Sequence, residues 1–221
     1  MNLAIFDLDN TLLDGDSDHA WGEFLVQKEL VDPVEYKKAN DHFYQQYLDG
    51  CLDIFEYQAF AMEPLTRFNL EELAKLHQTF MDELITPMIT EKSKALLKDH
   101  KSKGDYLLII TATNDFVTKP IAKLLGVDDI IATEAELIDG RYTGKVKGTP
   151  SFHEGKITRL KAWVDNHSDK FDESYFYSDS INDLPLLEWV DYPFVVNADE
   201  KLSQVAAERN WPSLDLRHPQ E

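Results

Sequence analysis

Short apolar runs that each end abruptly on a polar residue constrain this chain more than any other feature. Leu3-Ala4-Ile5-Phe6 stops at Asp7, Tyr106 to Ile110 stops at Thr111, Tyr175-Phe176-Tyr177 stops at Ser178-Asp179, and Phe194-Val195-Val196 stops at Asn197. Ile130-Ile131-Ala132 adds a fifth run. Near-continuous apolar strands separated by helical patterns predict an α/β fold in which helices cover both faces of a parallel sheet. Ligands of such sheets bind beyond the carboxyl ends of the strands, so the terminating polar residues are expected at one site.

Caps and breaks mark the intervening helices. Thr90 precedes a helix from Glu91 to the basic turn at Lys103, with Gly104 as its stop. Asn114 caps a helix running to Leu125 and Gly126, with Pro120 kinking it or sitting near its first turn. Lys156 to Val164 and Leu184 to Val190 read as helices, and Asp139-Gly140 between alternating residues reads as a hairpin over 137–144.

Between Ser17 and Met88 the character changes to helical apolar spacing with many aromatic residues and no convincing strand. The expected organisation is a core of residues 1–14 and 89–221 with a helical cap of 15–88 inserted after the first strand. Phe24, Tyr36, Phe43, Tyr44, Tyr47, Phe55, Tyr57, Phe60, Phe68 and Phe80 are expected mostly as core of that bundle.

At 221 residues the chain is long enough to bury a substantial core, and 43% hydrophobic residues argue against disorder. The formal charge of −19 repels phosphate backbones and anionic lipid, so neither nucleic acid nor membrane is an expected partner. A bound metal would still dominate the field of a small phosphate site. Acids interrupt the first apolar run after Phe6, and no run reaches 18 apolar residues, which points to a cytoplasmic protein. The single cysteine, Cys51, excludes an internal disulfide and is expected as a buried thiol. Seven histidines lie scattered without ligand spacing, so zinc is not expected. Gly155-Lys156 lacks the spacing of a nucleotide phosphate loop.

Asp7-Leu8-Asp9-Asn10-Thr11 puts two carboxylates one residue apart at the end of a buried strand. Such a pair suits a hard metal with oxygen ligands, although Asp-x-Asp also occurs in capped turns. Ser178-Asp179-Ser180-Ile181-Asn182-Asp183 ends another strand and offers a third carboxylate for Mg²⁺. Asp183 is either part of that cluster or a first-turn helix acid. Thr111 offers a hydroxyl, with the backbone N–H of Ala112 beside it, and Lys156 offers a cation; each taken alone is an ordinary strand terminus or surface lysine.

In order, Asp7-x-Asp9-x-Thr11, Thr111, Lys156 and Asp179-x-x-x-Asp183 resemble the four motifs of the haloacid dehalogenase superfamily. The insertion after the first motif resembles the cap of its phosphoserine-phosphatase-like subgroup. Residues 7–21 look most like bacterial proteins described as histidinol-phosphatases. The resemblance implies a Rossmann-like core and hydrolysis of a small phosphate ester. It implies Asp7 as nucleophile and Asp9 as acid and base, with Thr111, Ala112 and Lys156 holding phosphate. Mg²⁺ would rest on Asp7, the Asp9 carbonyl and Asp179, with Asp183 farther out or acting through water.

Ser178 and Ser180 stand where the subgroup usually has glycines. Phe60, counted from Phe55-Glu56, falls where phosphoserine phosphatases carry an arginine for the substrate carboxylate. Asp16 matches the cap carboxylate that faces the substrate amine, and Arg67 is a candidate to restore carboxylate binding. Histidinol phosphate is therefore the expected substrate. Phosphoserine hydrolysis and phosphoryl transfer to an alcohol are the alternatives on this scaffold. A phospho-accepting signalling module is the alternative from another class. Oligomeric state is not legible in the sequence.

Overall fold

The structure, a computed structural model, describes residues 1–219. Strand β1 (Leu3–Phe6) is followed by helices α1 (Ser17–Gln27), α2 (Pro33–Asp49), α3 (Ile54–Met62), α4 (Leu70–Phe80) and α5 (Thr86–Met88), and then α6 (Glu91–Lys103). A short 3-10 turn over Glu63–Arg67 and a π turn over Met81–Ile85 join the later members of this run. Then come β2 (Tyr106–Asn114), α7 (Asp115–Leu125), β3 (Asp129–Thr133), β4 (Ala135–Ile138), β5 (Arg141–Val146) and α8 (Glu154–Asn166). The chain ends with β6 (Ser174–Ser178), α9 (Leu184–Leu187), β7 (Tyr192–Val196), α10 (Glu200–Arg209) and β8 (Ser213–Leu214).

The main sheet has the order β3-β2-β1-β6-β7-β8, and every neighbouring pair is parallel. Alternation along the strands supplies both faces. Ala4, Phe6, Leu107 and Ile109 point into one apolar cluster, while Leu3, Ile5, Leu108 and Ile110 point into the other. The second cluster is closed by Leu160 of α8, Leu186 of α9 and Leu202 of α10. The first is closed by Val117 of α7 and also by Trp21, Phe24, Leu73 and Phe80 from the helical run after β1. That run leaves and rejoins the sheet at one place, where Leu13 bridges Ile89 and Asp14 N–H donates to the Met88 carbonyl at 2.8 Å.

The expected caps hold. Thr90 and Asn114 cap α6 and α7, Gly104 and Gly126 end them in the left-handed conformation, and Pro120 lies inside α7. The hairpin over 135–146 forms, with Asp139 and Gly140 at positive φ.

Five details differ from the expectations. β2 does not stop at Thr111 but continues to Asn114 across a register shift against β3. The helix expected to reach Val190 ends at Leu187, and β8, only two residues long, left no apolar run to find. Cys51 is exposed, because it follows Gly50, the left-handed cap of α2, in the turn before α3. Of the aromatic residues, Phe24 and Phe80 are core, whereas Phe55 is exposed and Phe43, Tyr44, Tyr47 and Tyr57 face a cavity. No helix among the described residues is long and apolar enough to cross a membrane.

Candidate active site

β1 lies between β2 and β6, so the polar residues ending these three strands meet at the crevice where the strand order reverses. Asp7 stays in the ladder, its N–H donating to the Tyr177 carbonyl of β6 at 2.9 Å. Beyond it the chain turns tightly. The Leu8 carbonyl accepts from the N–H groups of Leu12 and Leu13 at 3.0 Å each, and Asn10 takes φ +56°, a left-handed conformation that asparagine tolerates.

This turn aims Asp9 at the start of α1. One Asp9 oxygen accepts the Ser17 N–H at 2.7 Å, and the other accepts the Thr113 hydroxyl of β2 at 2.8 Å. Burial, followed by repulsion from Asp16, raises Asp9 to about 6. Asp9 is thus poised between protonated and ionised forms near neutrality.

Lys156 enters from α8. Its Nζ lies 2.7 Å from Asp7 Oδ1 and 2.7 Å from Asp183 Oδ1, with all three side chains almost wholly buried. The Ser178 hydroxyl donates to Asp183 at 2.7 Å. The lysine is placed by close packing at the helix start: a Cβ on Gly155 would meet the Pro150 carbonyl oxygen at 2.1 Å. Burial disfavours the charge of Lys156, yet Asp183 and Asp7 hold the lysine protonated above its usual range. Burial raises Asp7 to about 7, with Lys156 opposing and Asp183 adding to the rise.

Asp179 accepts the Thr11 hydroxyl at 3.2 Å. Desolvation and then repulsion from Asp7 raise its carboxyl well above the usual range. Asp7 and Asp179 therefore share a surplus of negative charge that Lys156 does not neutralise, and a hard divalent cation would relieve it. Among the described residues no three acidic, histidine or cysteine side chains converge to clasp a metal unaided.

A cavity opens above these groups. Asp7, Asp9, Thr111, Ala112, Thr113, Lys156 and Asp183 form its sheet side, while Asp16, Asp18 and Gln58 face it from the helical run. The two sides are joined by the Tyr47 hydroxyl donating to Ser180 Oγ at 2.9 Å and by Gln58 Nε2 donating to the Ala112 carbonyl at 3.2 Å.

A family model described as haloacid dehalogenase-like hydrolase matches residues 4–188 of this chain. The chain belongs to the haloacid dehalogenase-like hydrolases. It is 47% identical over 220 residues to a protein of Neisseria meningitidis named histidinol-phosphatase, covering 98% of this chain and 99% of that relative. A crystal structure of a Bordetella pertussis protein of unknown function has a TM-score of 0.92 and 42% identity, covering 97% of this chain and 98% of that one. A substrate-bound phosphoserine phosphatase shares the fold, with a TM-score of 0.67 at 18% identity over 98% of this chain and 93% of its own. This haloacid dehalogenase-like hydrolase is an enzyme of the phosphatase kind.

Within this hydrolase, Asp7, Asp9, Thr111, Ala112, Lys156 and Asp183 come together in the cavity, whereas Asp179, hydrogen-bonded to Thr11, is not among the residues that line it. Two expected specificity residues do not. Phe60 turns away from the cavity and packs on Tyr36 and Phe43, ring centroids 4.6 and 5.2 Å away. Arg67 lies on the surface, paired with Glu63 and bonded to the Leu30 carbonyl, and does not reach the site. Asp16 lines the cavity but also caps α1, one oxygen accepting the N–H groups of Asp18 and His19 at 2.9 Å each. Sequence reasoning passed over Thr113, although period-two spacing from Thr111 puts it on the same strand face. It also passed over Gln58, which carries no motif signal, and gave Asp18, inside the resembling stretch 7–21, no role of its own.

Proposed function

We propose that this hydrolase cleaves a small phosphomonoester through an aspartyl-phosphate on Asp7, and that its substrate carries a cationic alcohol, with histidinol phosphate the preferred single identity. The observation that carries the reaction is the buried Lys156 between Asp7 and Asp183, beneath a cavity that Asp9 also faces. Lys156 keeps Asp7 in place with one carboxylate oxygen paired, and its charge attracts the phosphoryl oxygens. Asp7 attacks phosphorus in line, and the bond to the leaving oxygen breaks. Asp9, held by Ser17 and Thr113, gives that oxygen a proton and then takes one from the water that hydrolyses the aspartyl-phosphate. Thr111 and the Ala112 backbone supply phosphate contacts. Mg²⁺ would be held by Asp7, Asp179 and the Asp9 carbonyl, and when bound it supplies charge neutralisation for the phosphoryl group.

The division into a core of 1–14 and 89–221 and a cap of 15–88 belongs to the same reading, the cap supplying the wall that meets the alcohol. That wall favours a cation. Among the described residues Lys156 is the only lysine or arginine lining the cavity, while Asp16 and Asp18 both face it. The relative named histidinol-phosphatase supports the same choice over phosphoserine, whose carboxylate finds no lysine or arginine on the helical side among the described residues. Phosphate release from a panel of esters with Mg²⁺ present tests it: histidinol phosphate should exceed phosphoserine in kcat/KM, and the reverse order sinks the substrate assignment. Added acceptor alcohols should not divert the phosphoryl group, which separates hydrolysis from transfer.

A further inference from the structure

Two acceptors in the helical wall of the cavity lack partners. Asp18 is 8% exposed and Gln58 is fully buried, and both line the cavity. Asp18 Oδ1 and Gln58 Oε1 have no hydrogen-bond partner among the described residues. A buried acceptor left unpaired costs about 1–3 kcal/mol, so two on one wall call for a donor-rich ligand. The rest of each side chain is anchored. Tyr57 hydrogen-bonds the Asp18 carboxylate, and Gln58 Nε2 is held by the Ala112 carbonyl beside Thr111.

Resting on the phosphatase reading above, we propose that Asp18 and Gln58 form the subsite for a primary ammonium group on the leaving alcohol, Asp18 supplying the counter-charge and Gln58 a neutral acceptor. An ammonium carries three N–H donors and one positive charge, which suits two unpaired oxygens of which one belongs to a carboxylate. Asp16 is the less suited of the two acids, since one of its oxygens already accepts two N–H groups of the α1 cap. Burial, with repulsion from Asp16, lifts Asp18 to about 8, and an ammonium bound beside it would draw the carboxyl into its charged form. Phe43 and Tyr57, ring centroids 5.5 Å apart, and Tyr44 line the same cavity, an environment favourable to a desolvated cation.

The test compares kcat/KM for histidinol phosphate with that for its deamino analogue, which keeps the imidazole and the phosphate but lacks the ammonium. Wild type should prefer the amine by about 10- to 100-fold, the worth of a charge-assisted contact in a dry site. Asp18→Asn, which keeps the shape and removes the charge, should bring that ratio close to one. Gln58→Leu should reduce the ratio without altering any charge, and keeps the inference exposed if Asp18→Asn does not fold. A wild-type ratio near one, or a ratio that survives the variants, overturns the subsite. Absence of Mg²⁺-dependent hydrolysis of p-nitrophenyl phosphate by wild type removes the phosphatase reading and the subsite together, a result distinct from loss of selectivity alone.

Discussion

Lys156 reaches 2.7 Å from both Asp7 and Asp183, so one buried cation serves two buried carboxylates, one just past β1 and one at the start of α9. Removing one member of such a cluster leaves an uncompensated charge, at a cost of about 3–5 kcal/mol. Lys156→Met should therefore abolish turnover and also lower the denaturant midpoint sharply. Asp7→Asn, which leaves Lys156 paired with Asp183, should abolish turnover with a much smaller stability loss. Equal destabilisation by the two variants, measured by urea unfolding, would contradict this division of roles.

Asp9 is held at both oxygens, and its proposed task is to protonate the departing alcohol. Asp9→Asn should lower kcat on alkyl phosphates by about 10²- to 10⁴-fold and harm p-nitrophenyl phosphate less, since nitrophenolate leaves without a proton. The same loss on both esters would rule out the acid role.

EDTA should silence the enzyme, and Mg²⁺ should restore it. Ca²⁺ should inhibit, because its looser and higher coordination misplaces the attacking carboxylate. Activity with Ca²⁺ equal to that with Mg²⁺ would show that the carboxylates around Asp7 do not impose octahedral order.

The active-site lysine depends on a glycine. With the Pro150 carbonyl 2.1 Å from a hypothetical Cβ, Gly155→Ala forces backbone movement at the start of α8. The expected result is a loss of stability of about 1–3 kcal/mol, as for other overpacked sites, together with a fall in kcat as Lys156 moves. Wild-type kinetics in this variant would mean that the loop before α8 yields freely.

His77 is a core histidine whose Nε2 bonds the Val117 carbonyl at 3.0 Å. Burial lowers its pKa below the usual 6.5. Because the unfolded chain binds the proton more readily, His77 stabilises the fold above pH 6.5, and this contribution is lost as pH falls below that value. Between pH 7.5 and 5.5 the melting temperature of wild type should drop by a few degrees more than that of His77→Gln. Parallel pH profiles would place no titration burden on His77.

The sheet and the reacting end of the site were legible because burial on both faces forces strands to be apolar until they reach the ligand, where Asp7, Thr111 and Asp179 mark the change. The specificity end was not. Phe60 and Gln58 both lie on α3, but two residues turn a helix by roughly 200°, so matching by count chose a residue on the opposite face. Asp18 resembled an ordinary first-turn acid, and only the cavity distinguishes it from Asp14 and Glu23. Thr113 was missed because the strand was read as ending at Thr111, whereas β2 continues to Asn114. Cys51 shows the converse error, in which a residue type's usual burial gave way to its place after a helix-ending glycine.

The place of β1 in the sheet also bears on how the protein is born. Its partners are Tyr106 to Ile109 on one side and Ser174 to Tyr177 on the other. During synthesis the strand before Asp7 leaves the ribosome ahead of both partners, then waits for about a hundred residues to gain one neighbour and for some seventy more to gain the second. Until then its apolar edge is an open template for pairing with another nascent chain. Slow translation through residues 7–105 should therefore lower the yield of native protein without changing the activity of each molecule that folds.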